Sequence, residues 1–289
     1  MTAVDGGYGA LLDALRGVRW PARRPVATGA PGAHHSRARG VSAEFTEYRP
    51  YRQGDDPRRL DWKLLARSDR AYVRLATDRT VLGTVLLADT SASMDFPREG
   101  RGKWTCARRL VVGLAAVAHA DGDPVGLVLP SLVKPQVLPP RTRRGVVSEI
   151  ARTLDTASVS GSPPLAPAFA VAASAARIAV VTDLLGDADA LLVAAREHVA
   201  AGGEVHVVHV VAREELAPPQ RALLAADPEK PDLRRPLTPD SLAGYLESFA
   251  AWREEQARAW RAAGAAYSLV ATDEPTERAV RRIARPDRP

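Results

Sequence analysis

The chain has 289 residues, 46% of them hydrophobic, and a formal net charge of +6 at pH 7, enough apolar material for one large core plus an extension. No apolar stretch reaches the roughly 18 residues that mark a membrane span, and Met1 to Trp20 carries Asp5 and Asp13 and lacks the apolar centre of a signal peptide. The single cysteine, Cys106, excludes an intrachain disulfide framework and reads as a packing residue.

In chain order, Gly6 to Arg16 predicts a short helix, and the Pro/Gly/Arg-rich stretch from Pro21 to Gly40 reads as mobile. Tyr72 to Asp78 alternates as an edge strand or hairpin arm. Thr84 to Ala88 is a short, nearly continuous apolar run, the mark of a strand covered on both faces. A helix from Lys103 to Ala120 follows, then strands over 125–129 and 132–138 and helices over 143–155 and 165–175. Ile178 to Val181 is a second buried-strand run, followed by a helix over 187–201 and a strand over 204–211. Six prolines between Arg213 and Pro239 break the pattern, with 222–226 and 233–237 paired as a hairpin. Ser241 to Ala263 predicts a long helix whose Leu242, Leu246, Phe249, Trp252 and Trp260 form a core stripe; a strand at 267–271 and a helix at 276–283 complete the chain. The alternation predicts an α/β fold, a doubly wound, mostly parallel sheet with an N-terminal extension. It divides the chain into residues 1–40, a front segment 41–78, and a main domain 79–289 with the hairpin at 213–239 inserted.

The first apolar run ends in Asp89-Thr90-Ser91-Ala92-Ser93, which places an acid and two alternating hydroxyls at a strand's carboxyl end, where open α/β sheets bind ligands. Such oxygens suit a hard cation, whereas zinc would ask for Cys or His. The second run ends in Thr182-Asp183 and delivers another carboxylate, although Asp183 taken singly also fits a helix cap. His206 and His209, three apart on a strand, point to opposite faces and do not share one ion. No Ser/His/Asp set, phosphate loop or general acid–base pair stands out, so the chain is read as a non-enzyme. A phosphoaspartyl-type hydrolase would carry a second acid where Ser91 stands. Nucleic-acid binding is a further alternative: residues 1–80 hold 15 Lys/Arg against 9 Asp/Glu, but their arginines alternate with Asp55, Asp56, Asp61 and Asp69.

These motifs resemble the von Willebrand factor A domain and its metal-ion-dependent adhesion site, with Asp89, Ser91, Ser93 and Asp183 matching directly. Ser160-Gly161-Ser162-Pro163-Pro164-Leu165 resembles that site's Gly-Gly-Thr-x-Leu loop. Counting back from Leu165 puts Pro163 at the Thr position, with Ser162 as the replacement after a one-residue shift. The resemblance implies Mg²⁺ or Mn²⁺ held by Ser91 and Ser93, by Asp89 and Asp183 directly or through water, and by Ser162. It leaves one coordination position for a partner's carboxylate. The front segment, with Glu44-Phe45, Tyr48-Arg49, Tyr51, Gly54-Asp55-Asp56, Arg58, Leu60-Asp61-Trp62-Lys63 and Val73-Arg74, resembles the bacterial family known as domain of unknown function 58. That resemblance implies a cytoplasmic protein working with a MoxR-type AAA+ ATPase and a client protein. Arg49, Tyr51, Asp55, Asp56, Arg58, Asp61 and Trp62 are its partner-binding candidates; packing against the fold is their alternative role.

Overall fold

The computed structural model describes residues 7–23, 31–35, 45–53, 55, 57, 60–68, 70–76, 79–99, 102–219, 223–226 and 234–285. The chain forms two compact units, one of residues 1–21 with 83–289 and the other of residues 22–82. Helix α1 (Gly9–Ala14) belongs to the larger unit, where Tyr8, Leu11, Leu15 and Trp20 are buried. The contacts therefore draw this boundary after Pro21, whereas the sequence grouped residues 1–40 together.

In the smaller unit, β1 (Pro31–His35) lies inside the stretch read as mobile and pairs antiparallel with the two-residue β4 described below. Strand β2 (Phe45–Pro50), helix α2 (Trp62–Ser68) and β3 (Tyr72–Ala76) follow, and β2 and β3 pair antiparallel with Tyr48 opposite Arg74. Asp61 caps α2: its Oδ1 accepts the backbone N–H of Lys63 and Leu64, satisfying two otherwise unpartnered donors of the first turn. The unit closes with β4 (Arg79–Thr80).

The larger unit resumes with β5 (Thr84–Ala88), α3 (Gly102–Ala120), β6 (Val125–Leu129), β7 (Gln136–Arg141), α4 (Val146–Thr156), α5 (Leu165–Ala172), β8 (Arg177–Thr182), α6 (Ala188–Ala200), β9 (Glu204–Val211) and α7 (Arg213–Leu216). A hairpin, β10 (Leu223–Ala226) with β11 (Arg234–Leu237), precedes α8 (Pro239–Ala262), β12 (Ala266–Ala271) and α9 (Thr276–Ile283). Six strands form one sheet in the order β12-β9-β8-β5-β6-β7, parallel except for the β7 edge. Every residue of β5, β6, β8 and β9 is buried, as their Val/Leu-rich runs favour, and the burial extends to the polar Arg177, Glu204, His206 and His209. Leu86 and Ala88 face α1, α3, α4 and α9; Val85 and Leu87 face α5, α6 and α8, where Trp260 is fully buried. The expected doubly wound sheet is thus the observed one. The strand expected at 132–138 begins only at Gln136, and Leu132 and Val133 are exposed loop residues.

At the amino ends of the strands a fully buried Arg177 needs partners, because an isolated charge there would be prohibitively costly. It reaches Glu204 at 3.2 Å, donates to the carbonyls of Trp20 and Pro21 at 3.1 and 3.0 Å, and stacks its guanidinium 4.4 Å from the Trp20 ring. On the far side of the sheet's midpoint, β5 has β6 and β8 as neighbours. The connection through α3 covers one face and that through α5 the other. The strand order therefore reverses at β5, and the crevice at its carboxyl end is the place where such sheets bind ligands.

Candidate metal and partner site

Asp89 leaves β5 with its backbone N–H bonded to the Val181 carbonyl, which ties it to the end of β8. Its Oδ1 accepts the Ser91 N–H at 2.8 Å, folding the chain back so that the Ser91 and Ser93 hydroxyls meet 3.0 Å apart. Its Oδ2 accepts the Thr182 hydroxyl at 2.7 Å. All of these side chains are buried. The middle loop docks on the same turn: Ser160 N–H donates to the Thr90 carbonyl and Ala92 N–H to the Gly161 carbonyl. Ser162 follows on that loop as an exposed residue, with Pro163 buried beside it.

Asp183 sits directly after β8, next to Leu184, whose φ of 60° is uncommon for a branched, buried residue and marks a tightly held turn. Asp183 Oδ1 accepts the Leu185 N–H, and Oδ2 accepts a proton of the Lys103 ammonium at 2.7 Å. Lys103 is 1% exposed and also donates to Glu215 Oε1 at 2.9 Å. Burial alone would depress Lys103, but Asp183 and Glu215 outweigh it and hold the ammonium above its ordinary range. Asp89 has no such cation: burial, and then the charge of Asp183, push its carboxyl up to about 6. His209 on β9 lies behind Asp183, with Nδ1 2.6 Å from the Tyr267 hydroxyl. His206 meets Trp20 instead, at a ring separation of 5.0 Å, on the opposite face of β9.

Three carboxylates, Asp89, Asp183 and Glu215, are opposed here by one ammonium, leaving two negative charges. That is the charge of one divalent cation. Octahedral ligands at 2.0–2.1 Å lie about 2.9 Å apart along an edge, close to the spacing of the two serine hydroxyls. The donors are hard oxygens throughout, so Asp89, Ser91, Ser93 and Asp183 fit Mg²⁺ or Mn²⁺. Among the described residues there is no cluster of three or more His, Cys, Asp or Glu side chains arranged around a metal position, so the hydroxyls are essential to this reading. The sequence did not single out Lys103, Thr182 or Glu215 for roles here. A signal existed for Lys103, one of four lysines against 36 arginines, standing at a helix start just downstream of the serine turn. A cleft of about 320 Å³ opens beside that turn, lined by Thr90, Ser131, Leu132, Lys134, Ser160 and Pro163, with Val133 96% exposed nearby.

In the smaller unit, Arg49 pairs with Asp55 at 2.7 Å, and Asp61 accepts the Tyr48 hydroxyl as well as capping α2. The Arg52 N–H and the Arg49 guanidinium hold the Asp55 carboxyl below its ordinary range. Tyr51 is half-buried and bonds Ala71 through its backbone, while Trp62 is 63% exposed. Asp56 and Arg58 lie outside the described residues.

Among the described residues, no helix is long and apolar enough to cross a membrane. Uncharacterized proteins of Mycobacterium tuberculosis and Mycobacterium bovis are each 28% identical over 283 residues, covering 91% of this chain and 85% of theirs. Among solved structures, BatB from Bacteroides thetaiotaomicron aligns with a TM-score of 0.45 and 16% identity, over 70% of this chain and 96% of that one. The VWA domain of SpRpn10 aligns with a TM-score of 0.39 and 13% identity, over 69% and 94%. The family model described as protein of unknown function DUF58 matches residues 47–236, and the chain belongs to that family.

Proposed function

We propose that the protein is a non-enzymatic, metal-dependent interaction adapter whose larger unit captures an acidic residue of a partner. The observation that carries this reading is the buried excess of two negative charges beside the Ser91–Ser93 hydroxyl pair, at the sheet's switch point. Asp89, Ser91, Ser93 and Asp183 would hold Mg²⁺, with Ser162 the candidate from the middle loop. When bound, the ion would supply an electrophilic position for an outside carboxylate.

The chain's own groups do the rest. Thr182 and the Ser91 amide fix the Asp89 carboxylate, the Leu184 turn aims Asp183, and the middle loop braces the serine turn through two backbone bonds. Exposed Leu132, Val133 and Leu185 border the site and suit an apolar side chain next to the captured acid. In this reading the partner is a MoxR-type AAA+ ATPase, the chain couples it to a client in the cytoplasm, and catalysis belongs to the ATPase. Trp62 and its neighbours Arg49, Tyr51 and Asp61 would present a second contact surface.

The test is affinity capture from native lysate with Mg²⁺ or with EDTA, for wild type and Asp89→Asn. An AAA+ ATPase recovered only with Mg²⁺ and intact Asp89 supports the adapter. Metal-dependent hydrolysis of a chromogenic phosphate ester, lost in Asp89→Asn, overturns it in favour of a hydrolase.

A further inference from the structure

Lys103 brings to the site a cation that the Asp-x-Ser-x-Ser pattern does not contain. It enters from the first turn of α3, 80 positions from Asp183 and 112 from Glu215, and its ammonium is buried between them. On Asp183 it occupies Oδ2 while the Leu185 amide occupies Oδ1, so an incoming ion shares a carboxylate already engaged at both oxygens. Glu215 is anchored in turn, its Oε2 accepting the Ala212 N–H at 2.7 Å and its backbone carbonyl accepting the Tyr245 hydroxyl.

We propose that Lys103 is a tethered competitor cation that weakens divalent-ion binding in the isolated chain and makes that binding depend on an outside carboxylate. The proposal rests on the ion-dependent reading of the site given above. Without Lys103, the three carboxylates would offer the ion three negative charges. With the ammonium drawing on Asp183 and Glu215 only two remain, and an acid supplied from elsewhere restores the third. Affinity of oxygen sites for divalent ions follows their ligand charge count, so the three charge states of this cluster rank themselves. The site carries two excess negative charges in wild type, three in Lys103→Met and one in Glu215→Gln.

The experiment is titration of the full chain with Mn²⁺, followed by the loss of the free-ion electron paramagnetic resonance signal, with folding checked by circular dichroism. Lys103→Met is expected to bind Mn²⁺ about tenfold or more tightly than wild type, and Glu215→Gln about tenfold or more weakly. Added acetate is expected to tighten Mn²⁺ binding in wild type more than in Lys103→Met. Equal affinities in all three folded proteins, or equal acetate effects, overturn the role of Lys103 while leaving the ion site intact. Absence of binding in both wild type and Lys103→Met, or binding that survives Asp89→Asn, overturns the ion site itself. Should Lys103→Met fail to fold, wild type against Glu215→Gln decides, and unchanged affinity there refutes the proposal.

Discussion

Lowering the pH tests how tightly the Asp183 turn is supported from below, through His209. The ring is 1% exposed, with Nδ1 2.6 Å from the Tyr267 hydroxyl and a hydrogen bond to the Asp183 backbone. Burial pushes its pKa down from 6.5 to about 4; the charge of Asp183 works against that shift, and Lys103 and Arg253 reinforce it. An unfolded chain takes up this proton near pH 6.5, whereas the folded one refuses it until about pH 4. Stability is therefore lost as the pH falls through that window, and the loss levels off below it. At 1.36 kcal/mol per unit the loss is about 3 kcal/mol. Carboxylates titrate in the same range, so the measurement is a difference: urea unfolding of wild type and of His209→Gln at several pH values. The advantage of wild type over the variant is expected to shrink by about 3 kcal/mol between pH 7 and pH 4. Parallel stability curves would refute the assignment of a buried, neutral His209.

Two further outcomes are expected. In EDTA at pH 7.5, Asp89→Asn should be more stable than wild type by about 3 kcal/mol, because burial and Asp183 lift Asp89 from 3.8 to about 6 and so penalise its ionised form. That advantage is full above pH 6 and gone below 3.8; a variant less stable at pH 7.5 than at pH 4, relative to wild type, contradicts it. Gly126→Ala should lose about 1–3 kcal/mol in urea unfolding, since a Cβ there would stand 2.6 Å from the Leu138 carbonyl oxygen and 2.9 Å from Pro140 N, forcing β7 away from β6. An unchanged midpoint would show that the edge strand yields without resistance.

Much of the sheet could be read from composition alone, because strands buried on both faces have no choice but to be continuously apolar. Val125–Leu129 was placed to the residue for that reason, and Glu204–Val211 was placed to the residue on its valines although Glu204, His206 and His209 interrupt them. Strand β7 was misplaced for the converse reason. It is an exposed edge whose Pro139 and Pro140 are tolerated there, while the apolar Leu132 and Val133 that attracted the strand assignment lie in the preceding loop. Strand β1 fell inside a stretch whose Pro and Gly content gave no periodic signal. At the site, the acid-and-hydroxyl turn was legible because its members are two residues apart. The Lys103–Asp183–Glu215 cluster was not, since only the packing of α3 against the sheet brings residues so distant in the chain together. Thr182 was visible as a strand end, but its bond to Asp89 depends on β5 and β8 lying side by side in register, with Ala88 opposite Val181.

Arg177 grips two stems of the polypeptide at once. Its side chain holds the carbonyl of Pro21, where the chain departs for residues 22–82, and its own backbone N–H holds the carbonyl of Gly83, where the chain comes home. One arginine thus staples the entry and exit of the entire excursion, fixing both at a single spot beneath the sheet. A splice made between those two stems would ask for only a brief bridge.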